Sequence, residues 1–174
     1  MPGIALSGEG RAQAARLADA LASRPVAAVV SSPVQRAQET AAPVAARLGL
    51  PVLTDDALDE LDFGDWAGLA FADLQPQPAW HTWNRARSFA PCPGGESMVA
   101  AQARALAGIA RLRAAHPDGE LLLVSHQDIL KAVLAHFLGA PLDLLHRLTL
   151  DPASRSVLVL SGQEARVDAV NLPP

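Results

Sequence analysis

The sequence has 174 residues, 50% of them hydrophobic, 18% charged and 4% aromatic, and a formal net charge of −4. That length suits one domain with a sizeable core, and an apolar chain with 12 Gly and 14 Pro is neither disordered nor low-complexity. Weak acidity, the absence of Tyr and a single Lys argue against the basic stripe and stacking aromatics of a nucleic-acid binder.

Helix punctuation starts almost at the first residue. Ser7 is placed to cap a helix whose Ala14, Leu17, Ala18 and Leu21 fall on one face. Pro25 stops it, and Val26 to Val30 is the continuous apolar run that a buried parallel strand needs. Ser32, Pro33 and Gln35 read as a capping box for a second helix carrying Ala37, Ala41, Val44, Ala45 and Leu48, with Gly49 just beyond its end. Pro51 to Thr54 reads as a short strand. From Asp55 to Gly95 the chain is polar, Pro-rich and irregular, with a short helix predicted around Pro78 to Arg87. Ser97 opens a long helix to about Ala115, with Val99, Ala103, Leu106, Ala110 and Arg113 along it. Glu120 to Ser125 is the clearest buried strand. Asp128 to Leu138 is a helix with Ile129, Val133, Leu134, Phe137 and Leu138 inward, closed by Gly139. Arg155 to Leu160 and Glu164 to Val170 read as an antiparallel hairpin across Ser161 and Gly162. The alternation predicts an α/β sandwich with a mostly parallel sheet, and residues 1–174 are taken as one domain.

Cys92, as the single cysteine, forms no intrachain disulfide, and no His, Cys, Asp or Glu group has the spacing of a metal loop. No apolar run is long enough to span a membrane, and the stretch Met1 to Leu6 has no basic region of a signal peptide. A cytoplasmic protein is expected, with no membrane partner.

In parallel sheets ligands sit beyond the carboxyl ends of the strands, and two strand ends feed directly into helix N-termini that favour an anion. One leads to Arg36, whose guanidinium fork suits a phosphate or carboxylate. The other ends at His126. Glu60 lies in the acidic stretch Leu58 to Trp66 among hydrophobic side chains, where desolvation would raise its pKa as a general acid requires. Taken alone, each has a plain alternative: an exposed helix arginine, a satisfied core histidine and a solvated loop. Trp66, Trp80 and Trp83 read as core and lid packing, and His81, His116, His136 and His146 are scattered without partners.

Taken together and in order, the segments Ala5 to Ala14 (ALSGEGRAQA), Ser31 to Ala41 (SSPVQRAQETA), Leu58-Asp59-Glu60 with Phe63 to Gly68 (FGDWAG), Pro93 to Ser97 (PGGES) and Val124-Ser125-His126 resemble the histidine phosphatase (phosphoglycerate mutase-like) superfamily. The C-terminal third, with DILKAVLAHFLG, PLDLLHR and DPASRSV, is most similar to its probable phosphomutases and phosphatases of actinobacterial type. The resemblance implies a phosphoglycerate mutase-like three-layer sandwich acting on small phosphorylated substrates through a phosphohistidine, with no cofactor or metal. Arg36 would bind the phosphate, Glu60 would be the general acid, and His126 would stabilise the phosphoryl charge.

Two departures stand out. The family's first strand ends in Arg-His-Gly, which carries the nucleophile and a first phosphate ligand, and these 174 residues contain no such motif. The sequence is therefore expected to lack that strand, to leave its neighbours with unpaired backbone, and to be inactive as it stands. Where the family has a glycine after His126, this sequence has Gln127. It sits where backbone approaches phosphate, and is placed with Arg36 among the phosphate-binding residues, although its side chain would crowd the pocket. The alternatives are a non-catalytic phosphate-ligand binding or protein-interaction module, and a homodimer in which another chain supplies the strand.

Overall fold

The structure, a computed structural model, describes residues 3–162 and 164–174. Met1 and Pro2 of the predicted N-terminal stretch, and Gln163 in the turn of the predicted hairpin, lie outside the described residues. In chain order the elements are α1 (Gly8–Leu21), β1 (Val26–Ser31), α2 (Gln35–Leu48), β2 (Val52–Thr54), α3 (Phe71–Leu74), α4 (Pro78–Arg85), α5 (Met98–Ala115), β3 (Glu120–Val124), α6 (Gln127–Leu138), β4 (Arg155–Ser161) and β5 (Glu164–Leu172). Short 3-10 turns lie between β2 and α3, and another follows α6. This is the mixed α/β architecture that the alternation predicts.

Local chemistry sets most of the boundaries. The Ser7 and Ser97 hydroxyls accept from Gly10 N and Ala100 N, each at 3.1 Å, and so cap α1 and α5. Gly49 and Gly139 end α2 and α6 in the left-handed region, at φ 68° and 65°. The capping box at Ser32 does not form. Ser32 N still donates to Val124 O in line with the sheet, so α2 begins only at Gln35 and its N-cap is Val34. Gln35 instead donates to Glu39 Oε1.

Among the described residues β2, β1 and β3 form a parallel sheet with β1 in the centre, and β4 and β5 pair antiparallel as a separate ribbon. β1 is buried over its last four residues, from Ala28 to Ser31. Among the described residues β3 pairs with β1 alone, and its Leu121, Leu122 and Leu123 are only half-buried, although their composition suits a strand covered on every side.

The main core joins α5 and α6 to the 61–92 segment through Met98, Ala101, Ala105, Ile129, Ala132, Trp83 and Cys92. The buried line of α5 is Met98, Ala101, Ala105 and Gly108, whereas Val99, Ala103 and Ala110 face outward. Small residues win that face because the chain around Ala57 lies against it: a Cβ on Gly108 would stand 2.4 Å from the Ala57 Cβ. On α6, Ala132 and Ala135 join Ile129, Val133 and Leu134 in the core, while Leu138 is 47% exposed.

Two segments that resemble family motifs cross at backbone contact. Glu96 N donates to Asp62 O and Asp65 N to Pro93 O, both at 2.8 Å. A Cβ on Gly95 would sit 2.3 Å from Asp62 O, and one on Gly64, at φ 53°, 2.2 Å from Pro93 O. Neither neighbour can move aside without breaking the crossing. Gly95→Ala is expected to cost about 2 kcal/mol in urea unfolding, against a few tenths for Gly8→Ala, where a Cβ meets nothing within 4 Å.

Candidate functional site

The parallel register of β1 and β3 pairs Ser31 with Val124, which sets Ser32 and the Ser125-His126 pair side by side at the carboxyl edge of the sheet. Arg36 rises from the first turn of α2 beside them, and His126 is the N-cap residue of α6. Glu60 comes in on the loop after β2. Arg36 Nη2 donates to His126 Nδ1 at 2.9 Å. Glu60 Oε2 stands 3.6 Å from both Arg36 Nη2 and His126 Nδ1. Three side chains far apart in sequence thus share one point.

The loop that presents Glu60 is anchored from three sides. Ser125 Oγ donates to Leu58 O at 2.6 Å, and Ser32 Oγ donates to Asp59 Oδ1 at 3.2 Å. Arg104 on α5 donates through Nη1 to the carbonyls of Asp56, Ala57 and Asp59, at 3.0, 3.1 and 3.2 Å. Its other face forms a fork on Glu96, at 3.1 and 2.9 Å. Asp59 Oδ1 also accepts from Glu60 N at 2.8 Å.

These surroundings push the two proton-bearing groups in opposite directions. Burial raises the Glu60 carboxyl to about 7, with the Leu61 N–H and Arg36 pulling it back and Asp128 adding to the rise. Burial lowers His126 to about 4, and the Arg36 charge lowers it further while Asp59 opposes. Near neutrality the site therefore holds a neutral imidazole beside a carboxyl poised to give or take a proton. That is the pairing a general acid and an anion-stabilising group require.

A cluster of aromatic side chains packs into the main core with α5 and α6. Trp66, Trp80 and Trp83 meet edge-on or stacked at 5.3 to 5.9 Å between ring centres, with Phe63 against Trp83. The Arg87 guanidinium lies 3.9 Å from the Trp83 ring centre and pairs with Asp128 Oδ1 at 2.8 Å, which fastens the cluster to the first turn of α6. Cys92 is buried beneath it, its thiol pushed up to about 12 by burial.

Of the residues singled out in the sequence, Arg36, Glu60 and His126 converge. The Gln127 side chain does not join them. It donates to Leu150 O at 2.9 Å and ties α6 to the chain leading into β4. What Gln127 presents at the helix start is its main chain. Sequence reasoning missed Ser32 as a site residue, gave Asp59 no role beyond its place in a motif, and missed Arg104 altogether. The only trace of Arg104 in the sequence is an arginine eight residues after Glu96.

The strand ends of a parallel sheet here gather an arginine, a neutral histidine and a proton-holding carboxyl, a set of side chains suited to a small anion. Residues 1–173 match the histidine phosphatase superfamily (branch 1), and the chain belongs to that family. It is 42% identical over 134 residues to the bifunctional protein Rv2228c of Mycobacterium tuberculosis, covering 76% of this chain and 36% of that protein. To the glucosyl-3-phosphoglycerate phosphatase of Mycobacterium tuberculosis it is 36% identical over 146 residues, covering 78% of this chain and 65% of that one. The chain thus spans less than two thirds of these relatives' length. Among solved structures, Bacillus stearothermophilus YhfR superposes with a TM-score of 0.90 at 29% identity, over 97% of this chain and 85% of that one. The mycobacterial glucosyl-3-phosphoglycerate phosphatase Rv2419c in complex with inorganic phosphate gives 0.83 at 34% identity, over 97% and 87%. No helix among the described residues is long and apolar enough to cross a membrane.

Proposed function

We propose that this chain is the phosphoryl-handling scaffold of a phosphomonoester hydrolase for small phosphorylated substrates, and that these 174 residues by themselves bind phosphate without turning it over. The observation that carries the reading is the convergence of Arg36, His126 and Glu60 at 2.9 to 3.6 Å, with the Glu60 carboxyl raised to about 7 and His126 neutral. The Arg36 fork would bind two phosphoryl oxygens and the His126 ring a third. Glu60 would give its proton to the ester oxygen as it leaves, then take one from the water that releases the phosphoryl group. The attacking histidine would arrive on an extended segment ending in Arg-His-Gly, laid along the side of β3 that meets no strand among the described residues. The relatives named glucosyl-3-phosphoglycerate phosphatase favour a phosphorylated sugar-acid substrate. The absence of Arg-His-Gly from these residues favours a second reading, a phosphate-ligand module without catalysis.

Millimolar inorganic phosphate is expected to raise the melting temperature by several degrees, and Arg36→Ala to abolish the rise. No rise in the unsubstituted chain would overturn phosphate binding. Hydrolysis of an aryl phosphate is expected only after an apolar strand ending in Arg-His-Gly is fused ahead of Gly3. Turnover by the chain alone, lost in His126→Ala, would overturn the absence of catalysis. Failure of the fused chain with phosphate binding intact would favour the module.

A further inference from the structure

Ser32 is fully buried, yet it is the junction of a hydrogen-bonded chain that the proposed hydrolysis does not use. Its direction follows from which groups can only donate or only accept. Arg36 Nη2 has nothing but protons to offer, so His126 Nδ1 accepts, and the ring proton must sit on Nε2. His126 Nε2 therefore donates to Ser32 Oγ at 2.8 Å. The Asp59 carboxylate can only accept, so the Ser32 hydroxyl donates to it at 3.2 Å. Ser32 Oγ also accepts from Val34 N at 3.2 Å, which locks the hydroxyl in place. The chain runs unbroken from Arg36 through His126 and Ser32 to Asp59.

An anion in this site changes what His126 must do. Nδ1 faces Arg36 and Glu60, the side where a phosphoryl oxygen would sit, and in the empty site it carries no proton. To donate to that oxygen it needs one, while Nε2 keeps its own on Ser32. We propose that Asp59 is a positioning residue that acts through Ser32 to hold His126 as an imidazolium whenever phosphate occupies the site. The proton comes from the ligand: a phosphate monoanion enters, its hydroxyl proton moves to Nδ1, and a dianion remains facing an imidazolium. Charge and protons balance, and Glu60 keeps its own proton for the leaving oxygen. Among the described residues the charged groups around the imidazole are Arg36 from α2, Asp59 and Glu60 from the loop and Arg104 from α5, with Asp128 of α6 acting on Glu60. Asp59 is the negative charge that reaches the ring by hydrogen bonds, at the nitrogen opposite the ligand.

The inference rests on the phosphate-site reading, and two arms of one experiment separate them. Nitrogen-15 NMR of the His126 ring in the 174-residue chain is expected to show Nε2–H alone without ligand, and both nitrogens protonated with saturating inorganic phosphate at pH 7. Asp59→Asn keeps an oxygen acceptor for Ser32 and Glu60 N and removes only the charge. It is expected to lower the titration of His126 in the phosphate complex by about one pH unit and to weaken phosphate about tenfold at pH 7. Ser32→Ala is expected to do the same by breaking the chain. A merely structural role would lower the melting temperature and leave the His126 titration where it was. A neutral His126 in the unsubstituted complex, or an unmoved titration in Asp59→Asn, overturns the relay. If phosphate fails to bind, the phosphate-site reading falls, and the relay is decided in the free chain. There Asp59→Asn must still lower the pH at which His126 takes its second proton, and an unchanged midpoint overturns it.

Discussion

Arg104→Ala is expected to destabilise the chain by about 3 kcal/mol in urea unfolding and to weaken phosphate binding, although Arg104 does not reach Arg36 or His126. Its side chain is 27% exposed, and its guanidinium is shared between the Glu96 carboxylate and the carbonyls of Asp56, Ala57 and Asp59. Truncation leaves Glu96, 20% exposed, without its fork and three loop carbonyls without their donor. The loop carries Asp59 and Glu60, so both site and stability suffer together. Arg104→Lys keeps the charge but cannot reach both sides, and is expected to recover less than half of the loss. The control is Arg16→Ala, whose pair with Glu9 is exposed on both sides and should change stability by less than about 0.5 kcal/mol. Equal effects at the two arginines would show that Arg104 does not hold the loop.

Glu60→Gln is expected to stabilise the ligand-free chain, and only at higher pH. The carboxyl rises from an ordinary 4.5 to about 7 on folding, so the native state binds the extra proton and the unfolded state does not. The Glu60 contribution to stability is therefore intact below about 4.5 and is lost as pH rises towards 7. His126 acts with the opposite sign. Lowered from 6.5 to about 4, it contributes fully above 6.5 and loses that contribution as pH falls through 4. Across the overlap the two slopes oppose, and the unsubstituted chain should be nearly flat there. Glu60→Gln removes one slope. Its stability should rise across the His126 window and exceed that of the unsubstituted chain by on the order of 3 kcal/mol at pH 8, with no difference at pH 4. Urea midpoints at the two pH values check this. An unchanged difference would mean that Glu60 is not buried as a proton-holding acid.

Much of the scaffold was legible in the sequence because its signals are local. Ser7, Ser97, Gly49 and Gly139 act on backbone within a turn of themselves, and the apolar runs of β1 and β3 mark both strands, although the β3 leucines are only half-buried. Arg36, Glu60 and His126 were legible by resemblance, each standing at a fixed offset within a short motif. The family, the α/β architecture and the three candidate side chains were therefore legible in the sequence alone, and their meeting was not.

The tertiary structure decided what each side chain is for. Ser32 carries every local mark of a helix cap, yet the register that pairs Ser31 with Val124 brings it to a histidine 94 positions away, and its hydroxyl serves His126 and Asp59 instead. Gln127 stands in a phosphate-loop position by motif, but the approach of Leu150 O gives its side chain another partner. On α5 the small residues face inward because the loop at Ala57 packs on Gly108, which no periodicity along the helix reports. A hydrogen bond across the sheet edge and a close approach between distant segments depend on which strands lie side by side. That adjacency is a property of the folded chain, and with it came the proton-holding Glu60, the neutral His126 and the line from Arg36 to Asp59.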